Sequence, residues 1–287
     1  TRPNWLTLGT LSAALVASTM ALLDPPSSGQ VGHALEVDQF SSLMTNLFIC
    51  LLILCTVSAT QRLPSDPDAP APSDDDDEES ESSKTAALYD NRRQADFHIL
   101  LLTLGLGMSL MAKSTHLVVL FVRLELASLS SYVLVGFHKE SKEGGEAGTK
   151  YFIVGSVASA IGIYGMSLLY LWNGDLSVAG LSQSWQSMES LDPLAAAGAG
   201  MMLVAFGFKV GAAPFHLAIP DAYSGTSSMV AGVLATASKA MGFVALFRLL
   251  LTVAMPASGS AFWYGALAVI SVITMTWGKL AALSSDN

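Results

Sequence analysis

The sequence predicts an all-α fold, a polytopic bundle of transmembrane helices, on three observations. The apolar fraction is 52% against 13% charged residues, about half the ~25% charged share of a soluble domain. Apolar runs of about 20 residues recur along the chain, each long enough to cross a bilayer as a helix. Ten-residue stretches of alternating polarity are absent, which argues against a transmembrane β-barrel.

The spans are expected, in order, at residues 6–23, 40–60, 97–111, 115–137, 147–171, 194–217, 226–255 and 262–283. The first is a short run of Leu, Ala, Val and Thr. The second is apolar throughout and holds Cys50 and Cys55, five apart and on different helix faces, which read as inert buried thiols. The third is the shortest. The fourth carries Arg123 and Glu125. The fifth is rich in small residues, with Gly155, Ala158, Ser159 and Gly162 on faces that let helices approach closely in lipid. Ser228, Gly232 and Thr236 repeat that spacing in the seventh, and plain bundle packing accounts for both sets. The sixth is interrupted near its C-terminal end. The chain starts at Thr1 without a Met and stops at Asn287 soon after an apolar run, which reads as a piece trimmed at both ends.

Net charge is −9, and most of it comes from one stretch, DPDAPAPSDDDDEESE at residues 66–81. Residues 61–96 read as an acidic loop too poor in apolar residues to fold, between N-terminal helices at 1–60 and a helix bundle at 97–287. Lys and Arg divide unevenly between the connections. One side holds Arg2, Arg62, Lys84, Arg92, Arg93, Lys139, Lys142 and Lys150, and the other holds Lys113 alone. The positive-inside rule puts the first set, and with it the acidic loop, in the cytoplasm of a multi-pass cell-membrane protein. Nothing is basic enough for nucleic acid. Glycine-rich dinucleotide and Walker motifs are missing, and two cysteines cannot ligate an iron–sulfur cluster. Any redox chemistry must therefore lie in another chain.

Ionisable residues near mid-membrane cost about 2.5–3.5 kcal/mol each on insertion scales and point to function by default. Four matter: Glu125, Lys209, Lys239 and His216. One buried Glu–Lys pair can be an inert clamp between helices, and a lone buried His is often a satisfied core residue. Two lysines facing one glutamate make a poor clamp and a better charge relay. Arg123, two residues before Glu125, points to another face and either snorkels or pairs with another subunit. Arg248, near its helix end, is expected to snorkel.

The stretch FGFKVGAAPFHLAIPDAY at residues 206–223 is the most informative. Pro214 lacks an amide hydrogen and clashes with the carbonyl of Val210, Gly211 loosens the same turn, and Pro220 ends the short segment after it. A discontinuous helix is expected, broken just past Lys209. The C-terminal end of the first half-helix favours a cation. Burial works against the lysine's charge while a carboxylate or freed carbonyls work for it, so a lysine held between them can load and release a proton. Around Lys239, the small residues Ala235, Thr236 and Gly242 leave room for water.

These residues resemble the antiporter-like membrane subunits of the NADH:quinone oxidoreductase (respiratory complex I) family, subunit N in particular. The matching pieces are VDQFSS at residues 37–42, LFVRLELASLSSYVLVGF at 120–137, EAGTKYFIVGSVASAIGIYGMSLLY at 146–170, FKVGAAPFHLAIPDAYSG at 208–225 and ATASKA at 235–240. The resemblance implies an antiporter-like fold, here partial, in which Glu125, Lys209 and Lys239 carry protons and His216 and Asp221 flank the break. It implies other membrane subunits and the bilayer as partners. It also implies no cofactor in this chain, with quinone and NADH or another reduced donor used elsewhere in the complex. Departures from the family pattern are Arg123 at a usually uncharged position, Ala218 where Trp is usual, and TSSM at 226–229 in place of a proline-rich run.

Two other functions are compatible with the same residues. A multi-subunit cation/proton antiporter shares the Glu and Lys pattern, although relatives of that kind usually carry His where Tyr223 stands. A non-translocating membrane scaffold would keep Lys209 and Lys239 in dry apolar packing.

Overall fold

The computed structural model describes residues 2–23, 35–59, 81–137, 141–251 and 260–284. Its helices are α1 (Arg2–Leu23), α2 (Gln39–Ala59), α3 (Glu81–Ala112), α4 (Leu117–Val135), α5 (Lys142–Asn173), α6 (Val178–Gln186), α7 (Pro193–Val210), α8 (Ile219–Ser224), α9 (Ser228–Val233), α10 (Lys239–Leu249) and α11 (Ser260–Ser284). A π-helical turn, Leu234–Ser238, joins α9 to α10. Among the described residues eight helical stretches are long and apolar enough to cross a membrane, and they follow the expected spans in order.

Capping chemistry sets the helix starts. Asp192 accepts hydrogen bonds from the amides of Leu194 and Ala195, and Pro193 stands at the first helical position of α7, where its missing amide hydrogen costs nothing. Ser141 caps α5 through the amide of Gly144, and Ser177 caps α6 through that of Gly180. At 32 residues, α5 is about 48 Å long. That exceeds a ~30 Å hydrocarbon core, so its first turns, with Glu143, Glu146 and Lys150, project from it.

One expectation is corrected. Helix α3 begins at Glu81, so residues 81–96, expected as unfolded loop, are helical; Ala, Leu, Arg and Gln favour that conformation. Residues 61–80, the rest of that loop, lie outside the described residues. The helix of the sixth span stops at Val210, short of the outer bound at 217 and at the break expected just past Lys209, because the chain turns at Gly211. In addition, α6 was not expected. It is a short helix lying between spans, and its Leu181 and Trp185, four residues apart, are fully buried.

The connections at one end of the bundle are stitched together. The Glu36 amide donates to the Lys113 carbonyl at 2.9 Å, that of Leu117 to Leu176 at 2.8 Å and that of Val178 to Thr115 at 2.9 Å. Trp185 meets Trp172 at 5.1 Å and Trp263 at 6.4 Å at this same end. Glycine packing draws the long helices together: a β-carbon at Gly165 of α5 would stand 2.8 Å from the Gly198 carbonyl of α7. The second small-residue set, by contrast, is not a packing face within the chain. Ser228, Gly232 and Thr236 are exposed, and nothing lies within 4 Å of a β-carbon at Gly232.

Candidate functional site

The helix break comes from the residues expected to make it. Gly211 takes a left-handed φ of 84°, open to glycine and strained for other side chains. Its amide bonds the Phe208 carbonyl at 3.1 Å and the Ala212 amide bonds Gly207 at 2.8 Å, which closes the end of α7 with a Schellman motif. The chain then passes through Ala212–Ala218 before α8 resumes. Lys209, in the last turn of α7, points into the bundle and is 6% exposed.

Its ammonium is held from α4 by one ion pair and two hydrogen bonds. Nζ lies 3.1 Å from Glu125 Oε1, 2.7 Å from Ser128 Oγ and 2.8 Å from the Tyr132 hydroxyl. The Ser128 hydroxyl donates to the Leu124 carbonyl, so its oxygen is free to accept from the lysine. Glu125 Oε1 also accepts from Ser159 Oγ at 2.9 Å. Positions 125, 128 and 132 share one helical face, because residues three, four and seven apart do. That spacing, legible in LELASLSSY, was the missed signal for Ser128 and Tyr132.

Helix α5 supports this cluster, and its small residues are packed closely as expected, Gly162 against Ala205 and Phe121. A β-carbon at Gly155 would overlap the Tyr132 hydroxyl, so the glycine makes room for a lysine partner. Ser159 orients the carboxylate.

Lys239 begins α10 directly after the π turn. Its Nζ lies against Gly211, where a β-carbon would collide with it. The Tyr223 ring stands 6.0 Å away, within reach of a cation–π contact. Tyr223 lies outside the spans, and burial pushes its phenol above the ordinary tyrosine range, so it presents a neutral ring. The expectation of open room beside Gly242 is corrected: the Lys209 and Val210 backbone fills it. Ala235 and Thr236 face outward. Thus Lys209 and Lys239 approach one break from two helices.

His216 sits in the turn between α7 and α8 with its ring 6.4 Å from that of Trp277, and its Nδ1 is buried without a hydrogen-bond partner among the described residues. Asp221 turns away from the lysines to Lys150 of α5 at 2.8 Å, which also meets Glu146 at 2.7 Å.

The two arginines behave differently from expectation. Arg123 is tied within the chain: its Nη1 donates to the Leu110 carbonyl at 3.1 Å and to Ser114 Oγ at 2.8 Å. Arg248 donates to both carboxylate oxygens of Asp38, at 3.2 and 3.1 Å, and to the Ala112 carbonyl at 3.0 Å. Both arginines satisfy carbonyls left over at the C-terminal end of α3.

A discontinuous helix, a glutamate–lysine pair and a second lysine at the same break define a polytopic membrane protein of the antiporter-like class. Residues 114–287 match the model of the NADH:quinone oxidoreductase/Mrp antiporter transmembrane family, and the chain belongs to that family. Over 195 residues, 68% of the chain, it is 36% identical to NADH-quinone oxidoreductase subunit N 2 of Koribacter versatilis (strain Ellin345). It spans 39% of that relative's length. The structure is similar to a chain of respiratory complex I from Thermus thermophilus with bound Aureothin, at a TM-score of 0.73 and 28% identity, covering 99% of this chain and 53% of that one. A chain of the Mrp complex from Dietzia sp. DQ12-45-1b shares the fold at a TM-score of 0.74 and 21% identity, covering 98% and 49% of the two chains.

Proposed function

We propose that this chain is a proton-translocating membrane subunit of an NADH:quinone oxidoreductase-type complex, with Glu125, Lys209 and Lys239 carrying the proton and His216 beside the path. The observation that carries the reading is the buried Lys209 ammonium, held by Glu125, Ser128 and Tyr132 at a helix break that Lys239 also reaches. A scaffold would keep its lysines in dry apolar packing. Here the polar contacts of Lys209 support a working charge. Quinone and NADH, or another reduced donor, are used by partner subunits, and this chain supplies no cofactor.

In the paired state, opposite charges 3.1 Å apart attract by about 5 kcal/mol at an effective dielectric of ~20, before desolvation is subtracted. Neutralising or withdrawing Glu125 removes that support and leaves the ammonium with two neutral acceptors. The proton then moves across the break towards Lys239, whose amine lies against Gly211. No covalent step is needed, only a change in which charge neighbours which. Neighbouring membrane subunits supply the trigger, linked to quinone reduction elsewhere.

The test places each change in the full-length protein within its complex and compares proton translocation with quinone reduction and assembly. Lys209→Ala and Glu125→Gln should assemble and lose pumping. Full pumping in both would leave an inert clamp as the survivor. Orientation is tested separately, in a background lacking Cys50 and Cys55. Ser73→Cys should resist an impermeant thiol reagent added outside intact cells, and Gln186→Cys should react. The reverse pattern would invert the assigned topology.

A further inference from the structure

Helix α11 reaches the broken helix through a hydrogen bond. The Ala213 amide, in the turn between α7 and α8, donates to Thr274 Oγ1 at 3.0 Å across 61 residues of sequence. The Thr274 hydroxyl donates in turn to the Ile270 carbonyl at 2.6 Å. Its hydrogen is therefore committed along α11 and a lone pair of its oxygen accepts from Ala213. Three residues on, and so on the same helical face, Trp277 places its ring against His216 at 6.4 Å and 82°.

The need for this acceptor comes from the break. Ala213 is 1% exposed, and its amide lies past the end of α7, where the helical ladder has stopped. A buried amide requires a partner, and Thr274 supplies it from a distant helix. Two residues before Ala213 stands Gly211, against which the Lys239 amine rests, and three after it stands His216. The turn that Thr274 holds is thus the segment on which both are placed.

We infer that Thr274 is a positioning residue for the proton path. By accepting the Ala213 amide it fixes the turn between the half-helices, and with it the placement of Gly211 beside Lys239 and of His216 beside Trp277. This inference rests on the proton-transfer reading of the lysines. Because the link is one hydroxyl, a displacement of α11 moves the break.

The experiment uses the full-length chain in its membrane complex with Thr274→Val, which keeps shape and loses the hydroxyl, and Thr274→Ser, which keeps the hydroxyl. Thr274→Val should lower protons translocated per quinone reduced and speed amide exchange over residues 206–218 by roughly two- to thirtyfold, and Thr274→Ser should restore both. Unchanged exchange and pumping in Thr274→Val would overturn the inference, as would equal defects in the Val and Ser variants, which would assign the effect to packing. If the Val complex does not assemble, Thr274→Ala against Thr274→Ser carries the same comparison. Lys209→Ala runs in parallel. Full pumping there removes the proton-transfer reading itself, whereas its loss beside a normal Thr274→Val complex removes the positioning role alone.

Discussion

Gly242 packs directly on Lys209: a β-carbon at position 242 would stand 2.9 Å from the Lys209 carbonyl carbon and 3.1 Å from its Cβ, and 2.9 Å from the Val210 nitrogen. Two of these three atoms are backbone at the closing turn of α7, so a rotamer change cannot relieve the clash. Gly242 lies three residues after Lys239 on the same face of α10. The helix bearing the second lysine is therefore seated on the backbone of the first.

Gly242→Ala should push α10 away from the break and loosen both lysines. We expect a loss of roughly 1–3 kcal/mol from overpacking and a fall in proton translocation greater than any fall in quinone reduction. Gly232→Ala is the control, since nothing lies within 4 Å of its β-carbon and exchanging a helical Gly for Ala is otherwise favourable by roughly 0.5–1 kcal/mol. Thermal unfolding and pumping measured on both variants decide the matter; equal behaviour of the two would refute the seating role of Gly242.

Tyr223 gives Lys239 a ring face at 6.0 Å. Tyr223→Phe should retain translocation near the unsubstituted level, while Tyr223→Ala should reduce it several-fold, in line with a cation–π contact of about 0.5–2 kcal/mol. Burial raises the phenol above its ordinary value, so the hydroxyl stays protonated and contributes no alkaline limb to the pH profile below about pH 10. A pumping loss in Tyr223→Phe as large as that in Tyr223→Ala would move the role from the ring to the hydroxyl.

Much of this arrangement was legible in the sequence because its causes are local. Apolar length marks a span, and Gly211, Pro214 and Pro220 mark the break within a few residues. Glu125, Lys209 and Lys239 stood out because charge in an apolar run is costly. What stayed hidden depends on contact across helices. Arg248 looked like a side chain bound for the membrane surface, because Asp38 lies 210 residues away. Ser159 and Gly155 looked like packing residues, because their service to Glu125 and Tyr132 exists only once α5 lies against α4. Thr274 is one threonine among many until Ala213 is brought to it.

Asp38 and Arg248 form the last testable element, an anchor that ties α10 to the starts and ends of other helices. Asp38 accepts from the Ser41 amide at 2.7 Å at the start of α2, and Arg248 bridges it to the end of α3. Burial alone would raise the Asp38 carboxyl. Its hydrogen bonds with Ser41 and the Arg248 charge outweigh that and hold it below the ordinary carboxylate value. A carboxyl lowered in the folded state adds stability above its unfolded value, near pH 3.9, and loses it as pH falls through the folded value. Arg248→Met should therefore destabilise by about 1–2 kcal/mol at neutral pH, a figure held down because the Asp38 side chain is 37% exposed and screened by solvent. Below the ordinary carboxylate range the gap between variant and parent should shrink, leaving the share due to the Ala112 carbonyl. In an Asp38→Asn background the cost of Arg248→Met should fall likewise at every pH. Thermal unfolding of the four combinations, followed from neutral to acid, measures this coupling. A cost that is identical with and without the Asp38 carboxylate would leave Arg248 as a carbonyl cap for α3 and nothing more.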